Sequence, residues 1–239
     1  MNEVEDIKIN VNITQQETNY TFGGYDYNTD DVTLNSTTKT TSRNVTGKFG
    51  KGKGSLKIGG TKDAAGDHFR NETWAALKML TVDDLTHKNW DVRIKKRNEG
   101  SKPVGTALIR GILDGDFGVT LTNDVSGTNY NLTNQGHTVA NNWSSAQNGT
   151  GSGSTIYISP ILQSSLFMQD GTKEMVPYFI ALGHELIHAD RSRLGITNLK
   201  RIEPWDSKIK TIEELHTFIR ENLLRDEHLL KHRYCTASL

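Results

Sequence analysis

The stretch ALGHELIHADRSRLG, residues 181–195, constrains the fold of this chain more than any other part of the sequence. Its apolar residues, with those just before it, form two rows on a helical projection and leave few polar sides. The rows are Phe179, Leu182, Leu186 and Ala189, and Ile180 and Ile187. Pro177 suits the first turn of such a helix. The pattern predicts a buried, central helix over about residues 173–194.

Two histidines, His184 and His188, lie between these apolar rows and are four residues apart. Residues at this spacing differ by about 40° in direction, so both imidazoles can reach one ion at about 2.0–2.1 Å. Glu185 points about 100° away from His184 and can instead take a proton from a water on the metal. Without an ion, a buried glutamate here would lose its hydration for no gain. The spacing therefore predicts a catalytic zinc site, with Glu185 as the general base.

The third zinc ligand is less clear from the sequence, although a catalytic zinc normally has three protein ligands. The metzincin pattern is excluded, because Arg191 and Leu194 stand where it requires glycine and histidine. Glu214 is on the buried side of a helix predicted over about 211–224, while Thr211 with Glu214 also fits a capping box. Two roles therefore remain possible for Glu214, a zinc ligand or a helix-capping residue. The other acidic candidates downstream are Glu203, Asp206 and Glu213.

The remaining sequence predicts an α+β fold with a small, mostly antiparallel sheet and a C-terminal helical part. Residues 1–60 are rich in Thr, Asn, Gly and Ser with period-two alternation, which predicts an N-terminal strand region, ordered or partly loose. Residues 61–239 are predicted as the domain that contains the zinc site, with one domain over 1–239 as the alternative. A helix is expected over 64–80, and a short turn or helix near 225–232.

The middle of the chain is predicted as strands and a loop. WDVRIKKR and LIRGILDGDFGVTLT have the pattern of short strands, while the polar run at 141–154 is predicted as a mobile loop. TIYISP stops at a proline, which suits an edge strand. Such an edge can bind an extended peptide through main-chain hydrogen bonds, or can be an ordinary edge. The substrate-binding candidates are Ile156, Tyr157 and Ile158.

Charge and cysteine content narrow the class of partner. The 28 Lys and Arg balance the 28 Asp and Glu, so no whole-chain field points to nucleic acid or an anionic membrane. Cys235 is the single cysteine, which excludes a disulfide framework. No apolar run reaches the length of a signal peptide or a membrane span. We expect no nucleic-acid partner, no membrane span and no oligomer, and, if the protein leaves its cell, delivery without a cleaved secretory signal.

Two segments resemble known zinc proteases. GHELIHA followed by RLG, and then EELHTF, resemble the active-site segments of the clostridial neurotoxin light chains. The length and the ending ENLLRDEHLLKHRY are more similar to the NleD-like family of secreted bacterial effector metalloproteases. The resemblance covers roughly residues 155–234. The resemblance implies a zincin-like fold and a zinc endopeptidase whose substrate is a protein or peptide. It also implies a secreted toxin or virulence effector that acts in the cytosol of a target cell.

The resemblance also implies roles for individual residues. His184, His188 and Glu214 would bind one zinc ion, and Glu213 would support the site from behind. Arg225, Arg233 and Tyr234 belong to the ending shared with the NleD-like family. Either Arg233 or Tyr234 is expected to donate a hydrogen bond to the oxyanion.

Two other functions use the same residues. One is a zinc hydrolase that acts on bacterial cell-wall peptides. The other is a non-catalytic zinc protein with a closed site, in which His216 or Cys235 supplies a fourth ligand. For His216 the simpler expectation is an exposed position on a helix.

Overall fold

The computed structural model of this protein describes residues 54–126, 128, 136–161, 164–201 and 211–233. The strands predicted before residue 54 lie outside the described residues, as do Glu203, Asp206, Tyr234 and Cys235. The described part is a mixed α+β structure in which a sheet packs against helices. None of its helices is long and apolar enough to cross a lipid bilayer.

Five helices occur in the described part of the chain. They are α1 Ala64–Leu80, α2 Pro103–Asp114, α3 Trp143–Gln147, α4 Tyr178–Arg193 and α5 Ile212–Asp226. The helix predicted over 64–80 is confirmed, and the Asp63 side chain accepts a hydrogen bond from the Gly66 N–H at its start. The helix predicted over 211–224 is confirmed as α5, which continues to Asp226 and then ends in a turn.

Among the described residues, six strands form the main sheet, in the order β2-β3-β1-β4-β6-β5. Their bounds are β1 Ser55–Ile58, β2 Asp84–Lys88, β3 Asp91–Lys96, β4 Gly118–Thr122, β5 His137–Ala140 and β6 Ser154–Tyr157. The pairs β1–β4 and β4–β6 are parallel, and the other three pairs are antiparallel. The sheet is therefore mixed, with antiparallel pairing only slightly in excess. A separate antiparallel hairpin joins β7 Ser165–Phe167 to β8 Lys173–Met175.

Strand β1 lies inside the predicted N-terminal region and is nevertheless central in the sheet. Leu56 and Ile58 are fully buried, and the strand pairs with β3 on one side and β4 on the other. This strand is thus part of the main fold. The division of the whole chain at residue 60 stays a prediction, because residues 1–53 are not described.

The strand prediction for LIRGILDGDFGVTLT is wrong in its first half, which forms helix α2. Leu108 and Ile112 are four residues apart and fully buried, which is helical rather than alternating spacing. The carboxylate of Glu227 accepts hydrogen bonds from the Val104 and Gly105 N–H groups at the start of α2. A distant residue therefore stabilises the start of a helix whose own N-cap residue, Lys102, makes no side-chain capping hydrogen bond.

The loop predicted at 141–154 is wrong in part, because residues 143–147 form helix α3, which contacts α4, and residues 151–154 are buried. Asn142 caps the short helix α3 by accepting a hydrogen bond from the Ser145 N–H at 3.0 Å. The Ser152 N–H donates to the Ser192 carbonyl at 2.9 Å, and residues 151–154 are buried. Backbone groups of a polar, glycine-rich segment thus find partners in the interior, which composition does not reveal.

The prediction that TIYISP is an edge strand is wrong. Strand β6 lies between β4 and β5, and Ile156 and Ile158 are core residues with at most 2% exposure. Among the described strands, the edge on this side is β5, a four-residue strand that the sequence patterns do not single out. Strand β6 ends at Tyr157, three residues before the proline at 160. A proline after a strand indicates where the strand ends along the chain and does not indicate its position in the sheet.

Helix α4 is the centre of the fold, as predicted. It contacts α1, α2, α3 and α5, together with strands β5 and β6. It starts at Tyr178 rather than near 173, because residues 173–175 belong to β8. Gly183 allows α5 to approach closely, since a Cβ at this position would stand 2.3 Å from Leu224 Cδ2.

Candidate metal centre

Helices α4 and α5 bring three predicted ligand side chains together. His184 and His188 project from α4, and Glu214 projects from the first turn of α5. One ligand atom from each lies within 4.8 Å of the others, so the three residues form a group that could hold a metal ion. The two imidazole rings are nearly perpendicular, with centroids 4.9 Å apart.

The distances from the Glu214 carboxylate to the two imidazoles are close to those between two ligands of a tetrahedral metal ion. His184 Nε2 is 3.7 Å from Glu214 Oε2, and His188 Nε2 is 3.4 Å from Glu214 Oε1. Ligands at 2.0–2.1 Å from a tetrahedral zinc are about 3.3–3.5 Å apart. Two imidazoles and one carboxylate are also a ligand set of catalytic zinc sites. The donor types therefore fit zinc; the His188 to Glu214 distance lies within this range and the His184 to Glu214 distance is slightly longer.

The other nitrogen of each imidazole is held by a second glutamate. His184 Nδ1 is 3.0 Å from Glu221 Oε2, and His188 Nδ1 is 3.0 Å from Glu213 Oε1. A carboxylate on Nδ1 makes it the protonated nitrogen and leaves the Nε2 lone pair for a metal. Both rings are therefore oriented with Nε2 towards Glu214.

Arginines in turn hold these two supporting glutamates. Arg191 Nε donates to Glu213 Oε2 at 2.9 Å. Arg225 Nε donates to Glu221 Oε1 at 2.7 Å, and Arg233 Nη1 lies 3.1 Å from Glu221 Oε2. Burial opposes ionisation of Glu221, but the contacts with His184 and with these arginines lower its pKa to about 2.

Negative charge around the imidazoles favours a cation at this place. Burial alone would lower the pKa of His188, but Glu213, Glu214 and Glu185 raise it to about 10. Burial likewise opposes ionisation of Glu214, while the hydrogen bond and charge of His188 lower its pKa to about 2. In the protein without metal, a proton on His188 supplies the positive charge that a metal ion would otherwise bring.

The two roles expected for Glu214, as a zinc ligand and as part of the cap of α5, do not exclude each other. Thr211 Oγ1 accepts a hydrogen bond from the Glu214 N–H at 3.2 Å, which caps α5. The Glu214 carboxylate instead faces both Nε2 atoms, and its side chain is 44% exposed at the open side of the group. The threonine thus satisfies the backbone, and the carboxylate is available to a metal.

Glu185 sits beside this group rather than in it. Its carboxylate Oε2 accepts a 2.6 Å hydrogen bond from Thr138 Oγ1 on the edge strand β5, and its backbone carbonyl is 3.0 Å from the same hydroxyl. Gly136 covers the side chain so closely that a Cβ there would stand 2.5 Å from Glu185 Cγ. The glutamate is only 5% exposed, although it lines the same cleft as the two histidines.

A cleft of about 990 Å³ opens over the group. Glu185, His184, His188 and Glu214 line it, and so does Arg233, whose guanidinium also lies 5.7 Å from the Phe218 ring centroid. The predicted oxyanion residue Arg233 is thus at the site.

Not all of the other residues predicted to take part in catalysis or substrate binding line the cleft. Arg225 is 2% exposed and does not line the cleft, because it lies behind Glu221. Of the three residues predicted to bind substrate, only Ile158 lines the cleft. Tyr234 is outside the described residues, so its role stays a prediction.

The closed four-ligand site gains no support from the described residues. His216 is 8% exposed, so the expectation of an exposed position is wrong, yet it is not part of the ligand group found among these residues. Cys235 lies outside the described part.

Sequence reasoning missed Glu221 and Thr138. Glu221 follows Glu214 by seven residues, which places both on nearly the same side of α5 and could have indicated a common site. Thr138 carries no comparable signal, because its contact with Glu185 joins residues 47 positions apart.

Neither the models of known protein families nor the curated proteins give a match to this chain. Among solved structures, the chain is similar to the apo form, with zinc removed, of the botulinum neurotoxin type C light chain. The identity is 19% and the TM-score is 0.24, over 51% of this chain and 25% of that chain. This chain thus matches a quarter of the length of that structure, and so weak a likeness supports no statement about its function.

Proposed function

We propose that this protein is a zinc-dependent endopeptidase. The observation that carries the proposal is the convergence of His184 Nε2, His188 Nε2 and the Glu214 carboxylate at the floor of an open cleft. Three protein ligands with a side open to solvent are typical of catalytic zinc sites, whereas structural zinc sites are closed by four. Glu185 beside the group supplies the remaining element of a hydrolase, a carboxylate placed to move a proton.

Zinc held by these three residues would supply Lewis acidity to the water and to the peptide carbonyl. Glu185 accepts the proton of the attacking water as the new C–O bond forms, and afterwards returns it to the nitrogen of the leaving amine as the C–N bond breaks. Thr138 holds the Glu185 carboxylate for this transfer. Glu221 and Glu213 hold the imidazoles and act only through them.

The cleft also offers groups that bind the peptide. Arg233 lines it and can donate to the carbonyl oxygen as negative charge develops there, a contribution of about 10²–10³ in rate for one such donor. Strand β5 ends the sheet beside the site and pairs with β6 on one side. An extended substrate can add to its other side by main-chain hydrogen bonds.

The broader biological role rests on the resemblance of the active-site segments alone. We propose on that basis a secreted bacterial effector that cleaves a protein in the cytosol of a target cell. Comparison of new protein termini in host lysate, with and without the active protein, tests this role. Cleavage confined to peptidoglycan peptides would assign the enzyme to cell-wall hydrolysis instead.

The endopeptidase itself is tested with the purified full chain. We expect about one zinc per chain by elemental analysis, cleavage of an unstructured protein such as casein, and loss of cleavage after chelation with recovery on added zinc. Glu185→Gln is the matched control, because it keeps the shape of the side chain and the zinc ligands. Full zinc content with no cleavage of casein, host lysate or peptidoglycan would favour the non-catalytic zinc protein.

A further inference from the structure

The cleft continues beyond the metal-binding group in both directions along α4. Its lining includes Tyr178 at the start of this helix and Ser192 near its end. At 1.5 Å per residue this distance is about 21 Å, the length of about six residues of extended chain. His184 and His188 lie between the two positions, so the cleft has an N-terminal arm and a C-terminal arm on opposite sides of the group.

The N-terminal arm is lined by the β7–β8 hairpin and the start of α4. Leu166 and Met175 come from the hairpin, and Tyr178 and Ala181 come from the helix. Met175 is 53% exposed. The Tyr178 hydroxyl is hydrogen bonded to Thr73 Oγ1 at 2.8 Å, so its polar end is satisfied and its ring is left to line the arm. This arm presents a largely apolar surface.

The C-terminal arm is lined by α3 and by the chain that follows α4. Trp143 is 41% exposed and Leu199 is 43% exposed, and both line the cleft. The Thr197 N–H donates to the Ala146 carbonyl at 2.9 Å, which ties this segment to α3. Two large apolar side chains are therefore held at the surface on this side as well.

Among the described residues that line the cleft, charged side chains lie only at its centre. The charged residues that line it are Glu185, Glu213, Glu214, Glu221 and Arg233, all within or next to the metal-binding group. Among the described residues, neither arm is lined by an Asp, Glu, Lys or Arg. A charged substrate side chain would lose water in either arm and find no partner, whereas an apolar side chain would gain from leaving water.

We propose that the two arms select extended polypeptide segments that carry large apolar side chains on both sides of the cleaved bond and no charge next to it. The arms are specificity determinants: Met175 acts on one side of the bond and Leu199 on the other. This inference rests on the proposed endopeptidase function, because the arms are continuous with the metal-binding group.

The experiment uses the zinc-loaded full chain and a library of short synthetic peptides whose central positions vary. Cut sites are read by mass spectrometry for the wild type, Met175→Asp and Leu199→Asp. The matched control is Leu229→Asp, because Leu229 is 96% exposed and does not line the cleft. Zinc content and melting temperature are measured for every variant, so that loss of the site or of the fold is recognised.

We expect wild-type cuts to be flanked on both sides by large apolar residues. Each of the two arm variants should lower kcat/KM for such peptides by roughly 10- to 100-fold, mainly through KM, with zinc retained. Each of these two variants should also cleave peptides with Lys or Arg next to the cleaved bond. In each variant this tolerance should be limited to one side of the bond, and the side should differ between Met175→Asp and Leu199→Asp. Leu229→Asp should match the wild type.

Cleavage next to charged residues by the wild type, or arm variants with unchanged preferences, would overturn the inference and leave the endopeptidase intact. A zinc-loaded wild type that cuts no peptide of the library and no casein would overturn the endopeptidase and the inference together.

Discussion

Thr138 Oγ1 and Glu185 Oε2 are 2.6 Å apart, although the two residues are 47 positions apart in the chain. The hydroxyl comes from the edge strand β5 and the carboxylate from the central helix α4. The same hydroxyl is 3.0 Å from the Glu185 backbone carbonyl, so one side chain ties the strand to the helix at the site. The proposed general base is thus oriented by the sheet edge and not by its own helix.

Thr138→Val should lower kcat on the order of tenfold while zinc content stays at the wild-type level. Valine keeps the shape of threonine but cannot donate, so the Glu185 carboxylate loses the bond that orients it. Thr138→Ser is the control and should restore most of the activity, because it keeps the hydroxyl. If the valine variant matched the wild type in kcat, Thr138 would have no part in orienting the base.

Glu185→Gln should separate proton transfer from metal binding. The glutamine cannot accept the proton of the attacking water, so activity should fall by about 10²–10⁴-fold. Zinc content should not change, since Glu185 lies outside the group of His184, His188 and Glu214. His184→Ala and His188→Ala are the comparison variants and should lose the zinc. A zinc-free glutamine variant would show that Glu185 is itself a ligand.

Glu214→Ala should weaken zinc binding far more than Glu213→Ala, as measured by competition with a chromogenic chelator. The Glu214 carboxylate faces both Nε2 atoms, whereas Glu213 contacts His188 only through Nδ1. Glu213 supports a ligand and is not itself one, and loss of such a residue typically lowers metal affinity 10–100-fold. Normal zinc binding by Glu214→Ala, with only a lower melting temperature, would leave this residue a role in the helix start alone.

Glu213→Ala should also cost more stability than Glu214→Ala, because Glu213 is the more buried of the two side chains. Arg191 donates to Glu213 and its side chain is 6% exposed, so the variant leaves a buried cation without its carboxylate. Thermal unfolding of both metal-free variants measures this difference. Equal melting temperatures of the two variants would mean that the buried Arg191 to Glu213 pair adds no more stability than the contacts of Glu214.

Glu221 should make the stability of the chelated protein depend on pH. Its pKa is about 2 in the fold against an ordinary 4.5, so its contribution is present above pH 4.5 and is lost as the pH falls towards 2. Such a shift corresponds to about 3 kcal/mol in the free energy of unfolding. The stability difference between the wild type and Glu221→Gln should therefore shrink between about pH 6 and about pH 3, as measured by urea unfolding.

The control for this titration is Asp67→Asn. Asp67 is 72% exposed and pairs with Arg70 on the surface of α1, where such pairs contribute little. Its variant should differ from the wild type by only a small amount, because the pair is exposed. A constant difference for Glu221→Gln would contradict the buried charge network.

Local spacing in the sequence by itself determined the features that one helix or one turn can specify. The buried α4, the pair of histidines on one of its sides and the capped start of α5 all depend on residues within a few positions of one another. The same holds for α1, whose apolar residues Phe69, Thr73, Ala76, Leu77 and Leu80 are buried as their spacing predicts.

Tertiary structure alone decided which distant elements meet at the site. Among the described strands, β5 rather than β6 is the edge of the sheet. Helix α2 has its first turn bound by the distant residue Glu227. Thr138, Glu213 and Glu221 reach the side chains of α4 from other elements. Strand order and the docking of α5 depend on pairing between distant segments, and one chain's local patterns are compatible with several such pairings. The spacing of His184 and His188 therefore predicts the ligands, while the groups that orient them come from contacts that no short stretch encodes.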